Sequence, residues 1–217
     1  MERTLIITDD GSHTLYVPAL DEHYHSTRGA MMESAHVFMN AGLHYATQRK
    51  KMNAIHILEI GFGTGLNALL SWIECDKQKM DCYYETLEKY PLTTEETAAL
   101  NYEPKSQLVQ LHACTWENAT SLSSYFTIRK IQRDLREYTP SRLFDLVFFD
   151  AFAPDIQPEL WTAEIFQILY DHQPPGGILV TYSAKGKVKE ALRRAGYHIQ
   201  RLPGAGGKRH MIRAIKN

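Results

Sequence analysis

The feature that most constrains this 217-residue chain is an apolar, strand-length run followed at once by three alternating glycines and a helical pattern. The run Ile55–Ile60 is almost continuously apolar, as in a strand buried on both faces. Gly61, Gly63 and Gly65 come next, and glycines let backbone N–H groups approach a ligand with no Cβ in the way. The junction therefore predicts a site for a nucleotide-like cofactor.

The rest of the chain alternates strand and helix patterns, which indicates a parallel sheet with crossover helices. The predicted strands are Ile55–Ile60, Asp81–Leu87, Leu108–Ala113, Phe144–Asp150, Ile178–Tyr182, Tyr197–Leu202 and His210–Ile215. The predicted helices begin at Leu66, at Thr93 or Thr94, at Glu159 and at Lys187. Residues 119–138 are amphipathic and are assigned to neither class. We expect an α/β fold with a mostly parallel seven-stranded sheet and a terminal antiparallel strand.

The first fifty residues precede the first central strand and have a different pattern. Thr4–Thr8 and Thr14–Val17 flank an Asp-Gly turn and predict a β-hairpin, and Met31–Leu43 has helical spacing. We therefore expect residues 1–50 to form a lid in the same compact unit as a cofactor-binding domain over residues 51–217.

Composition excludes several classes of protein. The chain contains no apolar run long enough for a transmembrane helix and no signal-peptide pattern at its start. Cys75, Cys82 and Cys114 lack metal-ligand spacing and indicate reduced thiols in the cytoplasm. His23 and His25 would share one strand face but have no convincing third ligand, so we expect no metal site.

Charge is distributed unevenly, although the net charge is only −1. From Thr181 onward the single acid is Glu190. The basic residues of this segment are Lys185, Lys187, Lys189, Arg193, Arg194, Arg201, Lys208, Arg209, Arg213 and Lys216. Such a tail is typical either of a protein that binds a polyanion such as RNA or of a solvated surface, and its charge alone does not decide between them.

Acids at the strand ends narrow the choice of cofactor. Glu88 follows the second strand, 23 residues after Gly65, where an acid can accept hydrogen bonds from ribose hydroxyls. The glycine pattern G-x-G-x-G differs from the G-x-G-x-x-G of dinucleotide folds, and Glu59 lies just before it. An acid there suits a ligand with an ammonium group and no phosphate. These features favour S-adenosylmethionine, and hence a Rossmann-like class I methyltransferase, over an NAD enzyme.

Asp150 ends the apolar strand Phe144–Asp150, where burial tends to raise a carboxyl pKa. An acid in this position can orient an incoming amine and take up its proton during methyl transfer. The alternative is a purely structural acid that caps a helix or holds a backbone N–H. Phe152, in the following loop, is the candidate stacking platform.

Several longer motifs resemble one family. Leu58-Glu-Ile-Gly-Phe-Gly-Thr-Gly-Leu-Asn67, Asp150-Ala-Phe-Ala-Pro154 and Pro158-Glu-Leu-Trp161 closely resemble the MnmD/MnmC-type tRNA wobble-uridine methyltransferases. Tyr24-His-Ser26 with Gly29, Glu33-Ser34 and the terminal Gly207-Lys-Arg-His-Met211 resemble them too, so the match runs nearly end to end.

This resemblance implies methylation by S-adenosylmethionine of the aminomethyl group of 5-aminomethyl-2-thiouridine in the tRNA anticodon. The implied or candidate cofactor residues are Glu59, Gly61, Phe62, Gly63, Thr64, Gly65, Asn67, Glu88 and Asp150, with Asp150 also serving the amine. The candidate substrate or RNA residues are Tyr24, Ser26, Glu33, Phe152, Lys208 and Arg209.

Two departures from the family pattern qualify these expectations. The bifunctional members carry an additional FAD-dependent oxidase domain that this sequence lacks, so we expect it to need a precursor that already bears the aminomethyl group. The family's Gly-Asp pair after the third strand is expected at Ala113-Cys114, which leaves Glu117 or backbone groups to hold adenine.

The alternatives to tRNA methylation are methyl or aminopropyl transfer to a small-molecule amine, and an inactive RNA-binding fold.

Overall fold

Two β-sheets organise the residues described by the computed structural model, 1–50 and 52–217. The smaller sheet contains β1 (Thr4–Ile7), β2 (His13–Val17) and β3 (Glu22–His23). The larger sheet contains β4 (Ala54–Ile60), β5 (Asp81–Glu88), β6 (Ala119–Ser121), β7 (Phe126–Gln132), β8 (Leu146–Phe149), β9 (Ile178–Thr181), β10 (His198–Pro203) and β11 (His210–Ile215). The expected boundary between residues 1–50 and 51–217 falls at Lys51, which lies outside the described residues.

The larger sheet has the order β10-β11-β9-β8-β4-β5-β7-β6. Strand β4 pairs in parallel with β5 and β8, and the parallel ladder continues through β7 on one side and β9 on the other. Strand β11 is antiparallel to both β9 and β10. The mostly parallel sheet with a terminal antiparallel strand is thus confirmed. The expected number of seven strands is wrong, because β6 adds an antiparallel strand beside β7.

Helices cover both faces of this sheet. They are α1 (Ala30–Ser34), a π-helix (Ala35–His44), α2 (Tyr45–Lys50), α3 (Leu66–Gln78), α4 (Thr94–Ala99), α5 (Lys105–Ala113), α6 (Ala163–Asp171) and α7 (Gly186–Arg194). The expected cap of α4 is confirmed, since the Thr93 hydroxyl accepts from the Glu96 N–H and the Glu96 carboxylate accepts from the Thr93 N–H. The expected helix from Glu159 begins later, with a 3-10 turn at Pro158–Leu160 before α6.

The predicted third strand, Leu108–Ala113, is wrong. These residues lie in α5, where the two buried side chains, Leu108 and Leu111, have the i, i+3 spacing of a helix face. The third parallel strand is β7, within the segment that had no assignment. The residues at its end are therefore Arg133 and Asp134, not Ala113 and Cys114. The Cys114 thiol instead donates to the Leu111 carbonyl at 3.0 Å.

Aromatic side chains fill the core on both faces of the sheet. In β8, the ring centroid of Phe148 lies 5.3 Å from that of Phe38 in the π-helix. The ring centroid of its neighbour Phe149 lies 5.0 Å from that of Phe166 in α6. Consecutive residues of a strand point to opposite faces, so these two phenylalanines tie β8 to both helical layers. The strand is thereby fixed on both sides, and the acid that follows it, Asp150, has a defined position.

The N-terminal sheet is fastened to the larger unit through Arg3. Its guanidinium donates to the Tyr24 hydroxyl at 2.9 Å, to the Tyr90 carbonyl at 2.5 Å and to the Glu96 carboxylate at 3.0 Å. The Arg3 side chain is only 3% exposed. Asn101 and Tyr102 add hydrogen bonds to the carbonyls of Gly11 and His13.

We expect Arg3→Ala to lower the free energy of unfolding by about 1–3 kcal/mol, because several charge-assisted hydrogen bonds are lost where water has little access. Urea denaturation monitored by circular dichroism measures this change. Arg193→Ala, at an exposed position of α7, is the matched control and should leave the midpoint unchanged. Equal midpoints for the two variants would contradict the anchoring role of Arg3.

Candidate active site

Three parallel strands converge where the glycine loop leaves β4. The N–H groups of Gly61 and Phe62 donate to the Leu87 carbonyl of β5 at 3.0 and 3.1 Å. The Asp150 N–H, just after β8, donates to the Ile60 carbonyl at 2.9 Å. The Glu88 carboxylate accepts from the Gly63 N–H at 3.0 Å. The loop is therefore held on both sides by the neighbouring strand ends, at the edge where open α/β sheets bind ligands.

Gly61 is required at this convergence for two separate reasons. Its φ of +92° lies in the left-handed region, which disfavours side chains. A Cβ on Gly61 would also lie 2.5 Å from the Asp150 carbonyl oxygen. At Gly63 the corresponding Cβ would lie 3.0 Å from the ring of Tyr24. A side chain at Gly63 would therefore press against the Tyr24 ring.

A cavity of about 390 Å³ opens above the loop. The candidate residues that line it are Tyr24, Ser26, Glu33, Gly61, Phe62, Gly63, Thr64, Asn67, Glu88, Asp150, Phe152 and Lys208. Three further candidates, Glu59, Gly65 and Arg209, are outside this lining. The structure thus brings together residues from the N-terminal segment, the glycine loop, two strand ends and the C-terminal hairpin.

The three candidates outside the lining have other surroundings. Glu59 is fully buried beneath the loop, where its carboxyl accepts from the Thr86 hydroxyl at 2.8 Å and desolvation raises its pKa to about 8. Gly65 donates to the Phe62 carbonyl at 2.8 Å and closes the loop before α3. Arg209 is exposed in the turn between β10 and β11. The proximity of Glu59 to the glycines in sequence therefore does not place its carboxyl at the cavity wall.

Asp150 lies in surroundings that favour its neutral form. Desolvation and the negative charge of Glu33 raise the pKa of Asp150 to about 8, against the lowering effects of the Asn67 hydrogen bond and the Lys208 charge. Asn67, in the first turn of α3, donates its Nδ2 to Asp150 Oδ2 at 2.9 Å. This bond fixes the carboxyl plane and leaves Oδ1 as the oxygen available to a ligand in the cavity.

Tyr24 and Glu88 line the cavity beside Gly63. Glu88 also accepts from the Tyr90 N–H at 2.8 Å, so both of its oxygens are engaged by backbone groups. The Tyr24 ring meets the Phe152 ring edge-on at 5.1 Å. Desolvation and the charge of Glu88 raise the pKa of Tyr24 to about 12, despite the nearby Arg3, so its hydroxyl remains neutral.

Several lining residues are absent from the sequence-based set of candidates. Asp134 and Leu135 follow β7, Tyr182 follows β9, and Glu22 belongs to β3. Lys89 pairs with Asp134 at 2.9 Å, and together with Arg136 it holds the pKa of that carboxyl well below its usual range. Their position at strand ends is the signal that could have identified Asp134 and Tyr182, once β7 and β9 were correctly bounded.

Neither a metal centre nor a membrane-spanning helix is found among the described residues. No group of three or more histidines, cysteines and acids among them could hold a metal ion. The ring of His23 packs at 4.7 Å from Tyr16, and desolvation lowers the pKa of His25 to about 4. No helix in residues 1–50 and 52–217 combines the length and apolarity needed to cross a membrane.

Comparison with known proteins identifies the family to which this chain belongs. The sequence profile of the S-adenosyl-L-methionine-dependent methyltransferases designated Methyltransf_30 matches residues 80–217. The chain belongs to this family. The structure is similar to that of MnmC2 from Aquifex aeolicus, with a TM-score of 0.83, 25% identity, and coverage of 98% of this chain and 70% of that one. The glycine loop and the strand-end acids thus lie in an S-adenosyl-L-methionine-dependent methyltransferase.

Curated relatives are longer proteins. The bifunctional protein MnmC of tRNA 5-methylaminomethyl-2-thiouridine biosynthesis from Azoarcus sp. is 31% identical over 231 residues, which cover 97% of this chain and 35% of the relative. The corresponding protein from Cupriavidus necator is 30% identical over 214 residues, covering 90% of this chain and 32% of the relative. The chain spans about a third of the length of these relatives.

We expect Gly61→Ala to weaken binding of S-adenosylmethionine at least tenfold, because an added Cβ meets the Asp150 carbonyl and left-handed backbone disfavours alanine by roughly 1–2 kcal/mol. Isothermal titration measures the affinity. Gly186→Ala is the matched control, since a Cβ there meets no atom of the described residues within 4 Å, and its affinity should equal that of the unmodified protein. Undiminished binding by Gly61→Ala would show that the loop does not shape the cofactor site.

Proposed function

We propose that this methyltransferase acts on the primary amine of 5-aminomethyl-2-thiouridine at the wobble position of tRNA, in the cytoplasm, and gives the methylaminomethyl product. The observation that carries the proposal is the single cavity that joins the glycine loop to Asp150 and Glu33. A cavity lined by both a glycine loop and two carboxyl groups suits transfer to an amine that enters as its cation. The names of the bifunctional MnmC relatives, which concern the same nucleoside, support this substrate.

The lining residues fit S-adenosylmethionine. Gly61 and Gly63 present backbone with no Cβ, Glu88 at the end of β5 is positioned for ribose hydroxyls, and Leu87 and Leu135 offer apolar surface for a base. Asp134 takes the place that the family pattern gives to the acid facing adenine. The expected departure at Cys114 rested on the wrong third strand. After β7 the corresponding pair is Arg133-Asp134, which has the acid but not the glycine of the family pattern.

The chemistry requires little more than positioning and a proton acceptor. When bound, S-adenosylmethionine would supply an electrophilic methyl group on a sulfonium sulfur, and the carbon–sulfur bond would break as the neutral amine nitrogen bonds to that carbon. Asp150 Oδ1 accepts the proton that the amine releases, while Asn67 holds Oδ2. Phe152 and Tyr24 form an aromatic edge beside the acid that suits the flat uracil ring.

Mass spectrometry of nucleosides tests the reaction directly. Hypomodified tRNA that bears 5-aminomethyl-2-thiouridine should gain one methyl group per modified uridine when incubated with the protein and S-adenosylmethionine. A parallel incubation with putrescine and spermidine tests methyl or aminopropyl transfer to a small amine. Product only in the polyamine incubation would replace the proposed substrate, and cofactor binding without any product would favour the inactive RNA-binding fold.

Asp150→Asn should reduce turnover by at least about a hundredfold, the usual contribution of a positioned base, and leave cofactor affinity within a few-fold of the original. In the unmodified protein kcat/KM should rise with pH and level off above about 8, because the neutral carboxyl that predominates at lower pH cannot accept a proton. Rates across pH 6–10 measure both effects. A flat profile, or near-normal turnover by the variant, would exclude Asp150 as the base.

Arg28 and Arg209 are the arginines we expect to contact RNA at the mouth of the cavity. Arg28 is exposed and its guanidinium packs against Gly207, in the turn that carries Arg209. Replacing both by alanine should weaken tRNA binding and lower the salt dependence of the affinity by about one unit of slope per arginine. Filter binding at several salt concentrations measures the slope.

Lys77→Ala is the control for RNA binding. Lys77 is 75% exposed near the end of α3, away from the carboxyl edge of the sheet, so its loss should change the slope little. Identical slopes for the double variant and the control would show that this face does not contact phosphate.

A further inference from the structure

The ammonium group of Lys208 reaches into the cavity. Its Nζ lies 2.5 Å from Glu33 Oε1 and 4.6 Å from the centroid of the Tyr182 ring. Lys208 belongs to the exposed turn between β10 and β11, and 41% of its side chain is exposed, whereas only 7% of the Glu33 side chain is. The cation thus comes from a surface turn and the carboxylate from the interior.

The two groups that hold this ammonium are fixed independently of Lys208. Glu33, in α1, accepts the Ser26 N–H on its other oxygen at 2.7 Å. The Tyr182 hydroxyl donates to the Ala151 carbonyl at 2.9 Å, one residue after Asp150. A carboxylate beside the face of an aromatic ring is a general receptor for an alkylammonium ion.

This receptor adjoins the proposed base. The charges of Glu33 and Lys208 both act on Asp150, and all four side chains line the same cavity. A lysine side chain ends in a primary alkylammonium group, which is the chemical class of the protonated aminomethyl substituent. We propose that Lys208 is a resident substitute for the substrate amine, and that it must leave the Glu33–Tyr182 receptor before that amine can enter.

Exchange of one cation for another follows from the electrostatics. Removal of Lys208 alone would leave Glu33 with an uncompensated negative charge where water has little access, which is unfavourable. Entry of a second ammonium restores the balance, whereas a neutral substituent cannot. An RNA phosphate beside the turn would offer Lys208 a new partner, close to Arg28 and Arg209. The receptor would therefore admit a primary amine, and admit it more readily when it is attached to RNA.

Binding of a small amine tests this exchange without any methylation. The probe is benzylammonium, titrated calorimetrically, with benzyl alcohol as the neutral control. Lys208→Met should bind benzylammonium roughly tenfold or more tightly than the unmodified protein, since charge-assisted contacts of this kind are strong once the competitor is gone. Lys208→Arg, which keeps a cation on the turn, should bind as the unmodified protein does. The added affinity should be lost in the double variant Glu33→Gln with Lys208→Met.

Equal affinities of the unmodified protein and Lys208→Met, with melting curves showing both to be folded, would overturn the proposal. So would enhanced binding of benzyl alcohol to the same extent, because the gain would then be apolar. If Lys208→Met is not folded, Lys208→Gln takes its place. It should bind benzylammonium more tightly than the unmodified protein by the same factor, and equal affinities would again overturn the proposal.

A second measurement uses the substrate of the proposed function, on which the identity of the amine in this inference rests. Lys208→Met should raise kcat/KM for the free 5-aminomethyl-2-thiouridine nucleoside and lower it for tRNA, because the competitor and a phosphate contact disappear together. A fall with both substrates would make Lys208 part of the chemistry and overturn the exchange. Benzylammonium binding that behaves as expected, with no methylation of either substrate, would instead count against the proposed function.

Discussion

The site depends on backbone hydrogen bonds that join three strand ends to one glycine loop. Leu87 of β5 accepts from two consecutive loop N–H groups, and the Asp150 N–H after β8 donates back to Ile60. These bonds bring the loop so close to Asp150 that no side chain fits at Gly61. The position of Asp150, the proposed base, relative to the glycine loop is therefore set by main-chain geometry. The core beneath, with Phe148 and Phe149 on opposite faces of the sheet, keeps that geometry fixed.

The acids around the cavity have different roles because their surroundings differ. Glu88 has both oxygens held by backbone N–H groups, whereas Asp134 is held by two cations that keep it ionised. Glu59 and Asp150 are instead desolvated, with each pKa raised to about 8. Asp150 combines a pKa raised to about 8 with a place in the cavity lining, which suits it to exchange a proton with a ligand.

The sequence contained enough information for the central fold and for the residues local to it. The apolar run before Gly61 is a strand, and the acids Glu88 and Asp150 lie at the ends of two others. Apolar runs of this kind are recognised from neighbouring residues alone. Leu108–Ala113 was assigned wrongly because so short an apolar segment is compatible with either a strand or a helix turn. The burial of Leu108 and Leu111 on one face of α5 is what distinguishes the helix from the strand. Because of that error, the acid expected after the third strand was sought at Cys114, whereas the acid after the observed third strand, β7, is Asp134.

Other features arise from pairs of residues that no local pattern connects. Arg3 meets Glu96, and Lys208 meets Glu33, across 93 and 175 residues of sequence. The direction of Glu59, away from the cavity, likewise depends on the pairing of β4 with β5, which brings Thr86 beside it. A charged residue near a motif can be recognised from sequence, but its partner is determined only when the sheet is assembled.

The N-terminal segment is as much a part of the site as the loop is. It contributes Tyr24 against Gly63 and Glu33 against Lys208, and Arg3 fastens it beside α4. Because Glu33 also acts on Asp150, the segment influences the protonation of a residue that lies far from it in the chain. A residue outside the larger sheet and its crossover helices, Glu33, thus adds a carboxylate to the cavity beside the glycine loop. The glycine loop is supplied by the sheet, whereas the proposed amine receptor combines Glu33 of the N-terminal segment with Tyr182, which follows β9.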